Sequence, residues 1–139
     1  MLDKGSSELP DIEQQISPQR KGKTRRILIC DDIDFNLSAI ESLMTYSLRI
    51  DFEKVCVTAL NGREAVQEVQ RDLDAHEGLE SSIKLVLMDC QMPFMDGYEA
   101  TIAIKRLFRA RRLPVPHVVA ITGHVSEPYV RKAKTSGMD

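Results

Sequence analysis

Lys84-Leu-Val-Leu-Met-Asp89-Cys-Gln-Met-Pro93-Phe-Met-Asp96-Gly97-Tyr-Glu99 is the stretch from which the fold is read. The apolar run from Leu85 to Met88 has the pattern of a short strand covered on both faces. Asp89 closes that run, and Pro93 and Gly97 then mark a tight loop. Asp96 followed by Glu99 forms a capping box, so a helix is predicted from Tyr98 to about Arg109.

The same design recurs on either side. Arg26-Ile-Leu-Ile-Cys30 ends on Asp31-Asp32, and His117-Val-Val-Ala-Ile121 ends on Thr122. Another strand is expected near Val55 to Leu60, before Asn61-Gly62, where Asn61 suits a helix N-cap. Helical spacing joins Leu37, Ile40, Met44 and Leu48, and then Ala65, Val66, Val69 and Leu73. A last helix is predicted from Ser126 as N-cap, with Glu127 and Pro128 in its first turn, to a Gly137 stop. The polar stretch from Arg71 to Ser82 is long for a connection and reads in part as surface loop. Strands alternating with helices require right-handed parallel crossovers, so the fold class is α/β, an open doubly wound parallel sheet with helices on both faces. Ligands of such sheets bind beyond the carboxyl ends of the strands. Asp31, Asp32, Asp89 and Thr122 all fall at that edge.

The 139 residues are one domain's worth of chain, enough for one core and one site. Hydrophobic residues at 42%, charged residues at 29% and a net charge of -2 give no overall bias toward nucleic acid. Residues 1–24 are rich in Ser, Gly, Pro, Gln and charge without periodicity, and are read as a disordered leader or linker. No apolar run approaches the ~18 residues of a transmembrane helix, and the N-terminus is unlike a signal peptide, so a cytoplasmic segment without membrane contact is expected. Cys30, Cys56 and Cys90 lack C-x-x-C or His spacing and read as small core residues in a reducing compartment. His76, His117 and His124 are scattered, without ligand spacing. The basic runs at Arg20 to Arg26 and Lys105 to Arg112 read as solvated surface rather than as a DNA-binding module.

Three carboxylates gathered at one edge repel strongly: at an effective dielectric near 20, two unit charges ~4 Å apart cost roughly 4 kcal/mol. Such a cluster takes up a proton or a hard cation, and Mg²⁺ with carboxylates, water and a phosphate is the natural set. Phosphoryl transfer is the matching chemistry, with an Asp carboxylate as nucleophile and Thr122 as a hydroxyl donor. Taken singly, a strand-end Asp is a turn former or cap. Three strand ends converging on one edge are not accounted for that way.

Leu87-Met-Asp89-Cys-Gln-Met-Pro93-Phe-Met-Asp96-Gly97-Tyr-Glu-Ala-Thr101 resembles the receiver domains of hybrid histidine kinases. The resemblance extends over residues 25–139, through Ile29-Cys-Asp31-Asp32-Ile-Asp-Phe-Asn36, Ala59-Leu-Asn61-Gly62, Ala120-Ile-Thr122-Gly123 and Ser136-Gly-Met-Asp139. It implies a flavodoxin-like receiver fold and a place in a two-component phosphorelay. Asp89 would take a phosphoryl group from the phosphohistidine of a histidine kinase or histidine phosphotransfer protein. Asp32 would bind Mg²⁺ directly, Asp31 largely through water, and Asp89 and the Gln91 backbone carbonyl would complete the protein ligands. Thr122 would hydrogen-bond the phosphoryl group and shift inward on activation, while Gln91 and His124 would tune its lifetime. The chain would not be an enzyme on separate substrates but would take part in its own phosphorylation and dephosphorylation. The family also carries a Lys and an aromatic residue on a fifth strand, followed by a fifth helix. This sequence reaches none of these, so the expectation is a receiver truncated at the C-terminus, part of a hybrid histidine kinase or response regulator.

Two rivals are distinguishable. Asp32-Ile-Asp34 after a buried strand resembles the D-x-D motif of dehalogenase-type phosphatases, which leaves the Asp89 to Gly97 stretch unexplained. A pseudo-receiver acting only as an interaction module would not need three mutually repelling carboxylates. A P-loop is excluded by the absence of G-x-x-x-x-G-K-[ST].

Overall fold

The computed structural model describes residues 24–139. Apart from Thr24, the leader expected over residues 1–24 lies outside the described residues. The elements are β1 (Ile27–Cys30), α1 (Asp34–Ser42) continued by a π-helical turn (Leu43–Ser47), α2 (Phe52–Val55), β2 (Cys56–Ala59), α3 (Gly62–Ala75), β3 (Leu85–Asp89), α4 (Gly97–Ala110), β4 (His117–Ile121) and α5 (Glu127–Ser136). All strand pairs are parallel, in the order β2-β1-β3-β4. The α/β sheet expected from the apolar runs is therefore present, with four strands among the described residues.

Strand alternation divides the core into two layers. Leu28, Cys30, Val86, Met88 and Val118 face Ala65, Val69 and Leu73 of α3 and Ile104 and Phe108 of α4. Ile29 and Cys56 point the other way and pack with Leu37 and Met44 of α1 and its π turn. Helices thus cover both faces of the sheet, which is why the strands carry continuous apolar runs instead of alternating ones. On β4, Val118 is fully buried while Val119 is 39% exposed, because the outer strand is covered fully on one side only.

Several local expectations hold. Asn61 caps α3 by accepting from the Glu64 N–H at 2.9 Å. Asp96 and Glu99 form the reciprocal capping box of α4. Gly137 closes α5 in the left-handed region at φ 99°. Others differ. Ser126 occupies the N-cap of α5 without a side-chain capping bond. Leu48 was expected on the buried face of the first helix and is 60% exposed. The cause is the π turn: the Leu48 N–H bonds back five residues to the Leu43 carbonyl at 3.2 Å, which shifts the face that follows. The single turn α2, capped by Asp51, precedes β2 and delays its start to Cys56.

Two tertiary ties were not visible in the pattern. Asp72 at the end of α3 accepts from both Ser81 and Ser82, including the Ser82 N–H at 3.0 Å, and so folds the polar connection back onto its helix. Lys105, expected on the solvated surface, is only 9% exposed and donates to the Gly137 carbonyl. Asp139 then bonds both polar groups of Val118, giving its N–H to the carbonyl at 2.8 Å and accepting from the N–H at 2.9 Å. These contacts join α4, the end of α5 and the outer edge of β4.

The start of α4 sits against the end of β3 so closely that a Cβ on Gly97 would collide with the Asp89 carbonyl oxygen. A Cβ on Gly123 would meet nothing within 4 Å. Gly97→Ala should therefore lower the unfolding free energy by about 1–3 kcal/mol through forced displacement of the helix, whereas Gly123→Ala should leave it nearly unchanged. Urea unfolding of the two variants checks this; equal midpoints would show that the α4 start has room to move.

Candidate functional site

Parallel pairing builds the site. Cys30 of β1 lies beside Met88 of β3, so the next residues, Asp31 and Asp89, leave adjacent strands at the same level. The Asp31 N–H still bonds the Ala59 carbonyl at 3.1 Å, which extends β1 by one residue and fixes where Asp31 emerges. Carboxylate oxygens of Asp31, Asp32 and Asp89 all lie within 4.8 Å of one another.

The three acids differ in surroundings. Asp31 is 3% exposed, and its Oδ1 accepts from the Ile33 N–H at 2.9 Å. The Asn36 side-chain amide donates to both Asp31 oxygens at 3.2 and 3.1 Å. Asp32 is exposed and open to the outside. Asp89 is half-buried, and its Oδ1 accepts from the Gln91 N–H at 3.2 Å. Burial pushes the Asp89 carboxyl above the usual carboxylate range, and the negative charges of Asp31 and Asp32 and a hydrogen bond shared with Asp32 add to that push, against the Gln91 N–H. The cluster holds more negative charge than its protein donors offset. A hard divalent cation fits this all-oxygen donor set.

Thr122 follows Ile121, the residue paired with Asp89 across β3 and β4, so it stands at the same sheet edge. It is half-buried, and its Oγ1 accepts from the His124 N–H at 3.1 Å. His124 stacks on Tyr129 with ring centroids 4.9 Å apart. Gln91 is exposed and touches the cluster through its backbone N–H. A groove runs from Asp32 past Gln91 and Asp96 to Tyr98 and Lys132, whose Nζ lies 4.4 Å from the centre of the Tyr98 ring.

Burial keeps the three thiols in the protonated form. Cys30 is fully buried, donates to the Asn61 carbonyl at 3.2 Å, and is pushed up to about 12 by burial and then by the nearby acids, Asp89 first. Burial also raises Cys56 and Cys90. All three are free and buried, as small core residues would be.

The family model for the response regulator receiver domain matches residues 27–139. The chain belongs to the receiver domain family. Over 128 residues this receiver is 33% identical to the sensor protein GacS of Pseudomonas syringae pv. syringae, covering 92% of this chain and 13% of GacS. Over 129 residues it is 31% identical to hybrid signal transduction histidine kinase B of Dictyostelium discoideum, covering 88% of this chain and 6% of that kinase. The chain thus spans a small part of the curated relatives it matches. The solved receiver domain of the histidine kinase CKI1 from Arabidopsis thaliana, complexed with Mg²⁺ and BeF₃⁻, aligns with a TM-score of 0.70 at 27% identity, covering 83% of this chain and 77% of that one. The complex of the Saccharomyces cerevisiae phosphotransfer protein Ypd1 with the receiver of Ssk1 aligns with a TM-score of 0.68 at 24% identity, covering 83% and 74%, a likeness of fold.

In this receiver, Asp31, Asp32 and Asp89 are brought together, with Thr122 on the same edge. Asp34, the second acid of the D-x-D reading, is the exposed first residue of α1 and no part of the three-acid group. That placement removes the geometric basis of the phosphatase rival. Asn36 is the site residue that pattern reading missed. Its signal was a side-chain amide one helical turn beyond an acid pair that needs donors.

Asp89 has its carboxyl raised in the folded state, so the native protein holds that proton to higher pH than the unfolded chain. Its ionisation makes stability fall as pH rises through the folded value. In metal-free buffer, Asp89→Asn should therefore melt above the parent at neutral pH. Its advantage should shrink as pH falls, vanishing below the ordinary carboxylate range, where Asp89 is protonated in both states. A melting difference independent of pH would show that Asp89 is not strained electrostatically.

Proposed function

We propose that this receiver accepts a phosphoryl group on Asp89 from a phosphohistidine in a two-component phosphorelay, with Mg²⁺ held by Asp31, Asp32, Asp89 and the Gln91 backbone carbonyl. The observation that carries the proposal is the cluster of three carboxylates within 4.8 Å, one of them half-buried with a raised carboxyl. The CKI1 receiver, solved with Mg²⁺ and the phosphoryl mimic BeF₃⁻, supports the choice of ion. When bound, Mg²⁺ supplies positive charge against the phosphoryl oxygens and the carboxylates.

The remaining work belongs to the chain. The Gln91 N–H holds Asp89 Oδ1, which turns the carboxylate and leaves Oδ2 to attack phosphorus. The new O–P bond forms as the P–N bond of the phosphoimidazole breaks, and the imidazole leaves with the electron pair and takes up a proton. Asn36 and the Ile33 N–H hold Asp31 in place, so the second acid keeps its orientation without a cation-dependent rearrangement. Thr122 rotates its hydroxyl to donate to a phosphoryl oxygen. Water later cleaves the acyl phosphate, in a step the domain itself assists.

The donor is a histidine kinase or a histidine phosphotransfer protein. On the strength of its relatives, the parent is of the hybrid histidine kinase type and the domain works in the cytoplasm as residues 25–139 of this chain. None of the described helices is long and apolar enough to cross a membrane.

Incubation with radiolabelled acetyl phosphate and Mg²⁺ should give one hydroxylamine-sensitive phosphate, and borohydride reduction should convert residue 89 to homoserine. Asp89→Asn should abolish the label. Asp32→Ala should slow labelling by roughly tenfold or more, as expected when a charged ligand worth about 1.5–3 kcal/mol is lost, and should weaken Mg²⁺ binding more than Thr122→Ala does. Label on a residue other than Asp89 would overturn the assignment.

A further inference from the structure

At the end of the sheet away from the carboxylates, α4 and α5 stop side by side. The residues that start the strands stand there in one row: the Lys84 N–H bonds the Arg26 carbonyl at 2.9 Å, and the His117 N–H bonds the Lys84 carbonyl at 3.1 Å. Helices that return between parallel strands finish at that same end. α4 finishes at Ala110, ahead of β4, and Asp139, just past α5, bonds Val118 near the start of β4. A cleft of about 740 Å³ opens between the two helix ends, walled by Ile102, Lys105, Arg106 and Arg109 of α4 and by Thr135 and Gly137.

The cations of this cleft are only partly partnered. Lys105 is held by the Gly137 carbonyl, with Asp139 Oδ2 3.9 Å from its Nζ. Arg111, just past α4, gives its side chain to the Leu107 carbonyl. Arg106 and Arg109 are exposed, and neither has a hydrogen bond or ion pair among the described residues. The dipole of α4 favours basic residues in its last turn, which accounts for their charge. It does not account for the apolar wall beside them, where Ile102 is 46% exposed.

Cations around an apolar side chain fit an acidic segment that carries apolar residues of its own. Such a segment lies in this chain: Glu8-Leu-Pro-Asp11-Ile-Glu13 has three acids, no base, and Leu9 and Ile12 between them. It is outside the described residues, and the chain that follows it enters the fold at Thr24, beside Arg26 and on the edge where the cleft opens. The ten residues 14–23 span at most ~33–36 Å. From Arg26 to His117 is two strand spacings, ~10 Å, and the helix layer stands roughly another 10 Å off the sheet, so the cleft is within reach. Arg20, Lys21 and Lys23 in the spacer are repelled by the cleft, which leaves the acidic block to enter it.

We propose that residues 8–13 dock in the cleft between the ends of α4 and α5, with their carboxylates on Arg106 and Arg109 and their apolar side chains on Ile102. The contact is intramolecular. Single exposed ion pairs are weak, so the tether matters: it holds the block near the cleft at roughly millimolar effective concentration. Docking ties the segment ahead of β1 to the joint that Lys105 braces, and it does not depend on phosphorylation of Asp89.

In the full chain, Ser7→Cys carries a nitroxide next to the acidic block; Cys30, Cys56 and Cys90 are buried, and mass spectrometry confirms a single label. Nuclear magnetic resonance of the isotope-labelled protein compares amide intensities with the nitroxide oxidised and reduced. The amides of Ile102, Arg106 and Thr135 should lose about half of their intensity or more. Those of Asn36 and Leu37 in α1, on the other face and at the other end of the sheet, should keep theirs. Salt at about 0.5 M, where the Debye length is near 4 Å, should return the lost intensity. Arg106→Glu with Arg109→Glu should return it at low salt, and adding Glu8→Lys, Asp11→Lys and Glu13→Lys to that pair should bring the broadening back. Both arginines are exposed, and Arg106→Gln with Arg109→Gln makes the same comparison if melting curves show the reversed pair unfolded. Full intensity at the cleft in the parent would overturn the proposal, as would broadening untouched by either arginine pair. Broadening that arises only in mixtures where nitroxide and isotope sit on different chains would overturn it too, by making the contact one between copies.

Discussion

Repulsion among Asp31, Asp32 and Asp89 is the constraint around which the rest of the structure is arranged. With oxygens within 4.8 Å, each pair costs roughly 3–4 kcal/mol at an effective dielectric near 20, a large share of the 5–15 kcal/mol by which a domain is stable. The sheet holds the acids there because β1 and β3 are parallel neighbours in a fixed register. Shifting that register by one residue would turn the buried faces of both strands to the wrong side. Apolar burial in the two core layers thus enforces an electrostatic arrangement that the acids alone would not adopt. Local donors relieve only part of it: Asn36 and the Ile33 N–H serve Asp31, and the Gln91 N–H serves Asp89.

The loop after β3 shows how tightly this arrangement is coupled to the fold. Gly97 brings the start of α4 against the Asp89 carbonyl, and its N–H bonds the Cys90 carbonyl at 3.1 Å. The Asp96 and Glu99 capping box fixes the entry of the helix at the same point. The Asp89 backbone thus touches the start of α4, and Lys105 ties that helix to the end of α5 through the Gly137 carbonyl. On the other side of the sheet, α1 starts just past Asp32 and carries an apolar ridge outward.

Most of this architecture could be read from sequence because it depends on short-range signals. Buried parallel strands read as apolar runs, and each here ends on the polar residue that forms the site. Asn61, Asp96, Glu99 and Gly137 announce the helix ends by local chemistry. What escaped were features set by tertiary contact. The π turn that throws Leu48 out of the core has no sequence period of its own. Lys105 looked like one more surface cation until α5 brought the Gly137 carbonyl over it. The Asp72 tie to Ser81 and Ser82 closes a loop whose composition says only that it is polar. The apolar outer residues of α1, Phe35, Leu43 and Tyr46, give no separate periodic signal, because Leu37, Ile40 and Met44 alone satisfy the helical period.

The central claim is that a cation relieves the repulsion stored in the carboxylate cluster. Thermal unfolding of the chain, followed by calorimetry at neutral pH across a Mg²⁺ titration at constant ionic strength, tests it most directly. The account predicts a melting temperature that climbs with Mg²⁺ concentration, as binding to the native state alone requires, and that does not climb when Ca²⁺-free, Mg²⁺-free salt of the same ionic strength replaces it. A melting temperature indifferent to Mg²⁺ would contradict the account, because the cluster would then be stable without the ion it is held to need.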